Sequence, residues 1–143
     1  MATLAKDVNR DFGTAYAAEM NDIPVIASDI IYQGAAVGES SSTGTARPLV
    51  AGDTFLGFAE MQADNSSGSA ADIKVRVRQR GSITISVTSA SGIADLGAKV
   101  FASDDATLTL ASTGNSLIGK VLEYNSGTTV VVGFQSKLLD LEV

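Results

Sequence analysis

Beyond residue 22 the chain alternates short apolar runs with clusters of small polar residues and glycine. The runs are IPVIA (23–27), GAAVG (34–38), ARPLV (46–50), FLGFAEMQ (55–62), DIKVRVRQ (72–79), SITISVT (82–88), AKVFAS (98–103), TLTLA (107–111), LIGKVLEY (117–124) and TTVVVGF (128–134). Between them lie GESSSTGT, DNSSGSA, SASG, SDDA, STGN and NSG, which carry the chemistry of turns. No stretch of normal helix length sustains a 3.6-residue apolar period. Short strands with turn signals at roughly 8–12-residue spacing predict an all-β fold, a small β-barrel or β-tulip-like sandwich.

Residues 1–22 differ from the rest. Apolar positions are sparse and charges alternate through Lys6, Asp7, Arg10 and Asp11. Residues 14–21 have room for a helical turn or two, which is marginal in isolation. The pattern divides the chain into an extended N-terminal arm (1–22), a β domain (23–136) and a C-terminal tail (137–143).

Two segments of the β domain resemble each other. GAAV (34–37) matches GAKV (97–100), and LVAGDTFLGFAE (49–60) matches LASTGNSLIGKVLE (110–123) with small insertions. Strand–turn–strand sequences converge on such patterns. A duplication is the other reading, and it implies two similar β-halves closing on one core.

The stretch DIKVRVRQRGSITISV (72–87) concentrates positive charge. Lys74, Arg76, Arg78 and Arg80 are four of the ten basic residues in a chain of net charge −6. Side chains alternate between the faces of a strand. Ile73, Val75, Val77, Ile83, Ile85 and Val87 therefore share one face, and the four cations lie on the other. This parity survives across Gly81. A hairpin with a three-residue Gln79-Arg80-Gly81 loop keeps it, and so does one long strand bulged at the glycine. The basic face is either a solvated strand face or a docking surface for something acidic. No aromatic residue is interleaved to stack on bases, so no specific nucleic-acid binding is expected.

Composition narrows the chemistry. The 143 residues contain no Cys and no His, which removes thiolate and imidazole metal sites and His-activated nucleophiles. No phosphate-binding glycine loop is present. Asp104-Asp105 reads as a turn and lacks the spaced ligands of an EF-hand. Glu60 and Glu123 occupy matching places in the two repeat-like segments, but sequence gives no separation for a carboxylate pair. Asn65-Ser66-Ser67 fits a glycosylation sequon. The first residues have no apolar h-region, and no apolar run approaches the ~18 residues of a membrane span. The expectation is a non-enzyme with no cofactor, no metal and no membrane partner.

The run LGAKVFASDDATLTLASTGNSLIGKVLEYNSGTTVVVGF (96–134) resembles the C-terminal half of tailed-bacteriophage capsid cement, or head decoration, proteins. Gly97, Val100, Phe101, Asp105, Thr107, Leu108, Thr109, Asn115, Ile118, Gly119, Val121, Leu122 and Glu123 carry the match. KVRVRQRGSITISV resembles a middle strand of the same family, so the likeness extends over roughly 23–134. The arm and the tail KLLDLEV match nothing.

The resemblance implies a structural cement protein on the outer surface of a virion capsid, made in the host cytoplasm. It would stabilise the shell against internal DNA pressure. It would bind the major capsid protein and self-associate, as a homotrimer. An arm that gains order on the shell would place Thr3, Leu4, Lys6, Val8, Arg10, Phe12 and Tyr16 at the capsid. Lys74, Arg76, Arg78 and Arg80 would face the shell or a neighbouring subunit. The alternatives are another virion β-module (tail tube, fibre or receptor-binding domain) and an OB-like nucleic-acid-binding module.

Overall fold

The structure, a computed structural model, describes residues 3–13, 19–41 and 43–140. Among these residues there are twelve strands: β1 (Asp11–Phe12), β2 (Glu19–Pro24), β3 (Asp29–Ile31), β4 (Ala36–Glu39), β5 (Ala46–Pro48), β6 (Thr54–Ala59), β7 (Ala63–Asn65), β8 (Lys74–Thr88), β9 (Lys99–Ala102), β10 (Leu108–Thr109), β11 (Ser116–Ser126) and β12 (Thr129–Gln135). Helical structure among them is limited to the 3₁₀ turns Ile93–Asp95 and Lys137–Leu139. The fold is all-β, as the apolar runs predict.

Five strands close into a barrel in the order β8–β12–β11–β9–β10. The closing pair, β10 on β8, is parallel, with Leu108 opposite Val87 and Thr109 opposite Thr88. The other barrel pairs are antiparallel. Closure leaves those strands no open edge. From the first half of β8 the sheet continues through β6, β4 and β5, and β3 pairs with β7 in a separate two-stranded sheet.

DIKVRVRQ and SITISVT form one strand. β8 runs for 15 residues through Gly81, so the hairpin alternative does not occur. Gly81 sits at φ +155°, a value that L side chains rarely adopt. Pairing with β12 is continuous across it, from Ser86 opposite Thr129 to Arg80 opposite Gln135. The irregularity lies against β2 instead: Glu19 is opposite Arg80 and Met20 is opposite Arg78, which leaves Gln79 as the extra residue.

Buried apolar residues form two clusters, and β8 contributes to both. Ile83 and Val87 join Val100, Ile118, Val121, Val130, Val132 and Phe134 in the barrel, with Phe55 and Phe58 from β6. Val75 and Val77 join Ile23, Val25, Ile31, Val37 and Leu56 in the second. The alternation of residues 73–87 thus feeds two cores, not the single core that duplication implied.

The repeat-like segments do occupy matching positions. Val37 faces Gly57 across β4–β6, and Val100 faces Gly119 across β9–β11. Each glycine also lies against the backbone of its other neighbour. A Cβ on Gly57 would meet the Arg78 carbonyl oxygen at 2.5 Å, and one on Gly119 would meet that of Gly133 at 1.8 Å. Real Cβ atoms essentially never come closer than 3.0 Å, so both positions exclude any side chain. The two strand pairs share the same Val–Gly step and the same close approach.

Candidate partner-binding surface

The described residues of the arm lie along the body. Thr3 donates its backbone N–H to Asp105 Oδ1 (2.9 Å) and its hydroxyl to Asp104 Oδ1 (3.2 Å), with a further hydroxyl contact to Asp105 Oδ1. Leu4 packs on the second cluster. Asp7 Oδ1 accepts from the Gln33 backbone (2.8 Å) and from Gln62 Nε2 (3.2 Å), while the Val8 N–H donates to the Gln33 carbonyl (2.9 Å). Arg10 Nε donates to the Gly34 carbonyl at 2.9 Å. Burial pulls the pKa of Arg10 below the ordinary arginine value, and the Asp105 carboxylate opposes that shift. Lys6 is exposed. Tyr16 lies outside the described residues.

Phe12 is the apolar anchor. Its ring centroid is 6.3 Å from that of Phe58 and 6.0 Å from that of Phe134, in an aromatic group completed by Phe55. The described residues around it and those from Glu19 onward pair with β8. Asp11 and Phe12 pair with Thr84 and Ile83, and Gly13 donates to the Ser82 carbonyl. β2 then runs from Glu19, opposite Arg80, to Pro24, opposite Lys74. A strand therefore begins inside the stretch where sequence allowed a helical turn.

This path sets acidic residues beside the basic strand. Arg76 pairs with Asp22 at 3.0 Å, both half-exposed, and Arg78 pairs with Glu60 at 3.3 Å. The hydrogen bond from Arg76 holds the Asp22 carboxyl below the usual carboxylate range. The Arg78 guanidinium also stacks over the Phe12 ring. Lys74 is exposed beside Asp22, and Arg80 is half-buried across from Glu19. Arg76 and Arg78 thus have carboxylate partners within the chain, long-range pairings that residue spacing does not reveal.

The remaining candidates separate. Asp104 Oδ1 accepts from the Ala106 and Thr107 backbones, each at 2.8 Å, so it shapes a turn. Asp105 is buried, and its Oδ2 has no hydrogen-bond partner. Among the described residues no group of three or more His, Cys, Asp or Glu is arranged to hold a metal ion. Glu60 follows β6 and is bound to Arg78, while Glu123 lies on β11, with β8 and β12 between β6 and β11. The sequon residue Asn65 is buried, and its amide donates to the carbonyls of Ile26 and Ser69. No helix among the described residues is long and apolar enough to cross a membrane.

Sequence reasoning missed one cationic site. Lys120 on β11 stands directly opposite Lys99 on β9. Lys120 also lines a cleft of about 280 Å³ with Arg80, Lys137 and Asp140, over Leu117, Ile118 and Phe134. These cations come from four distant parts of the chain, and only the strand register assembles them.

No protein-family model matches the sequence, and no curated protein is significantly similar to it.

Proposed function

We propose that this chain is a structural virion module, a capsid cement protein bound to the outside of a bacteriophage head. It reinforces the shell, performs no catalysis, contacts the major capsid protein and self-associates as a homotrimer. The observation that carries the reading is the resemblance over residues 96–134. That run supplies β9, β10, β11 and β12, four of the five barrel strands. Its Gly119 is the position where β11 approaches β12 too closely for any side chain. A cement protein needs a stiff body, and a closed barrel provides one. Many identical copies on a symmetric shell make weak single contacts sufficient.

Co-sedimentation of the purified protein with undecorated, expanded heads tests the reading. Saturable binding at a fixed copy number per head, with a trimer mass in sedimentation equilibrium, is the expected result. Absence of binding to heads, together with binding to tails, would move the chain to the tail or fibre class. Salt-sensitive binding to DNA in place of heads would move it to the nucleic-acid class.

A further inference from the structure

A second group of cations lies outside the 74–80 stretch, whose Arg76 and Arg78 have carboxylate partners within the chain. Lys99 and Lys120 are exposed and directly opposite each other on β9 and β11. Like charges in that position repel, with Cβ atoms roughly 5 Å apart. The ion pairs Arg47–Asp53, Arg76–Asp22 and Arg78–Glu60 include neither lysine, nor Lys137. Asp140 also lines the cleft, and Glu19 stands across from Arg80. These two carboxylates offset part of the charge, and the local excess rests on the three lysines. An acidic chain of net charge −6 thus keeps a repulsive lysine pair beside a cleft that a third lysine and an arginine border.

We infer that the cleft bordered by Lys120, Lys137 and Arg80, with Lys99 beside it, binds an acidic polypeptide segment of a partner protein. The lysines meet carboxylates, and the half-buried Leu117 in the cleft lining meets the apolar part of the same segment. Two observations favour a peptide over nucleic acid. Phe134 is only 2% exposed, so it offers no ring for base stacking. A long polyanion would also feel the negative charge of the whole molecule, whereas a short segment is governed by charges within a Debye length, about 8 Å at physiological salt. The inference does not depend on the partner being a capsid.

Fluorescence polarisation with a labelled oligoglutamate peptide at low salt, with a thymidine oligonucleotide as comparator, tests it. The expected result is saturable peptide binding that weakens as salt rises. The triple variant K99Q/K120Q/K137Q should bind at least about tenfold more weakly, while K74Q/R76Q stays within about twofold of the parent. Lys120→Gln alone should hold or raise the melting temperature, because it removes a like-charge pair. No saturable peptide binding, equal affinity in the triple variant, or tighter binding of the oligonucleotide would each overturn the inference. So would a marked fall in melting temperature for Lys120→Gln, which would make that lysine part of the fold.

Discussion

The guanidinium of Arg78 lies 4.2 Å from the centroid of the Phe12 ring. A residue of the arm and a residue of the basic strand are thereby fixed to one another. Glu60 holds the same arginine by its charge, and Phe58 and Phe134 hold the ring by packing. The arm is a component of the body's packing, and removing it should be felt there. Phe12→Ala should destabilise the protein by about 2–3 kcal/mol, less than a fully buried phenylalanine because the ring is only partly covered. Deleting residues 1–13 should lower stability at least as much. Urea denaturation measures both, and an unchanged midpoint would show that the arm does not support the body.

Gly119→Ala should prevent correct folding. Its new methyl group would sit on the Gly133 carbonyl oxygen, and neither backbone can retreat without breaking the β11–β12 pairing. Gly114→Ala provides the comparison. It has φ +74° and nothing within 4 Å of the added carbon, so it should lose only about 1–2 kcal/mol from backbone strain. Soluble yield and circular dichroism distinguish the two. A folded, stable Gly119→Ala protein would contradict the close approach of these strands.

Asp53→Ala should destabilise by about 2 kcal/mol or more. Asp53 is nearly buried and binds Arg47 through two hydrogen bonds, of 3.0 and 2.8 Å. It also accepts the backbone N–H of Val50 at 3.0 Å. The variant leaves a partly covered guanidinium and a turn amide without their acceptor. Thermal denaturation of D53A beside D53N would show whether the charge or the hydrogen bonds matter more.

Acid should weaken the contact between arm and strand. Asp22 has its carboxyl held below the usual range by Arg76. Its contribution is therefore complete above the ordinary carboxylate pKa and disappears as pH falls through the lowered folded-state value. Asp64 behaves in the same sense because Ser66 donates to it from both hydroxyl and backbone. Melting temperature followed downward from neutral pH should fall less steeply for Asp22→Asn than for the parent. Equal slopes would remove Asp22 from the acid response.

The parts of this fold that were legible in sequence are those in which one strand face is buried. Residues 73–87 alternate because their apolar side chains fill two cores, and the runs that became β4, β6, β9, β11 and β12 announced themselves by apolar content. β2 did not, because Glu19, Met20, Asn21 and Asp22 are all exposed. A strand bound mainly through its backbone leaves little apolar record. β3 and β7, with three residues each, are too short to show a period. The outward face of the basic strand was readable. Its pairing with Asp22 and Glu60 was not, since those contacts depend on tertiary placement. The Lys99–Lys120 juxtaposition depends on register alone.

Thr84 has Asp11 on one side of it and Val131 on the other. At this point the central strand is flanked by segments about 120 residues apart in sequence. During synthesis β8 emerges well before β12, with one long edge exposed and its apolar residues incompletely covered. Such non-local pairing makes folding slow and leaves the unfinished chain prone to association. The barrel can close only when β12 has left the ribosome, and until then the arm and β6 are the segments available to shield β8.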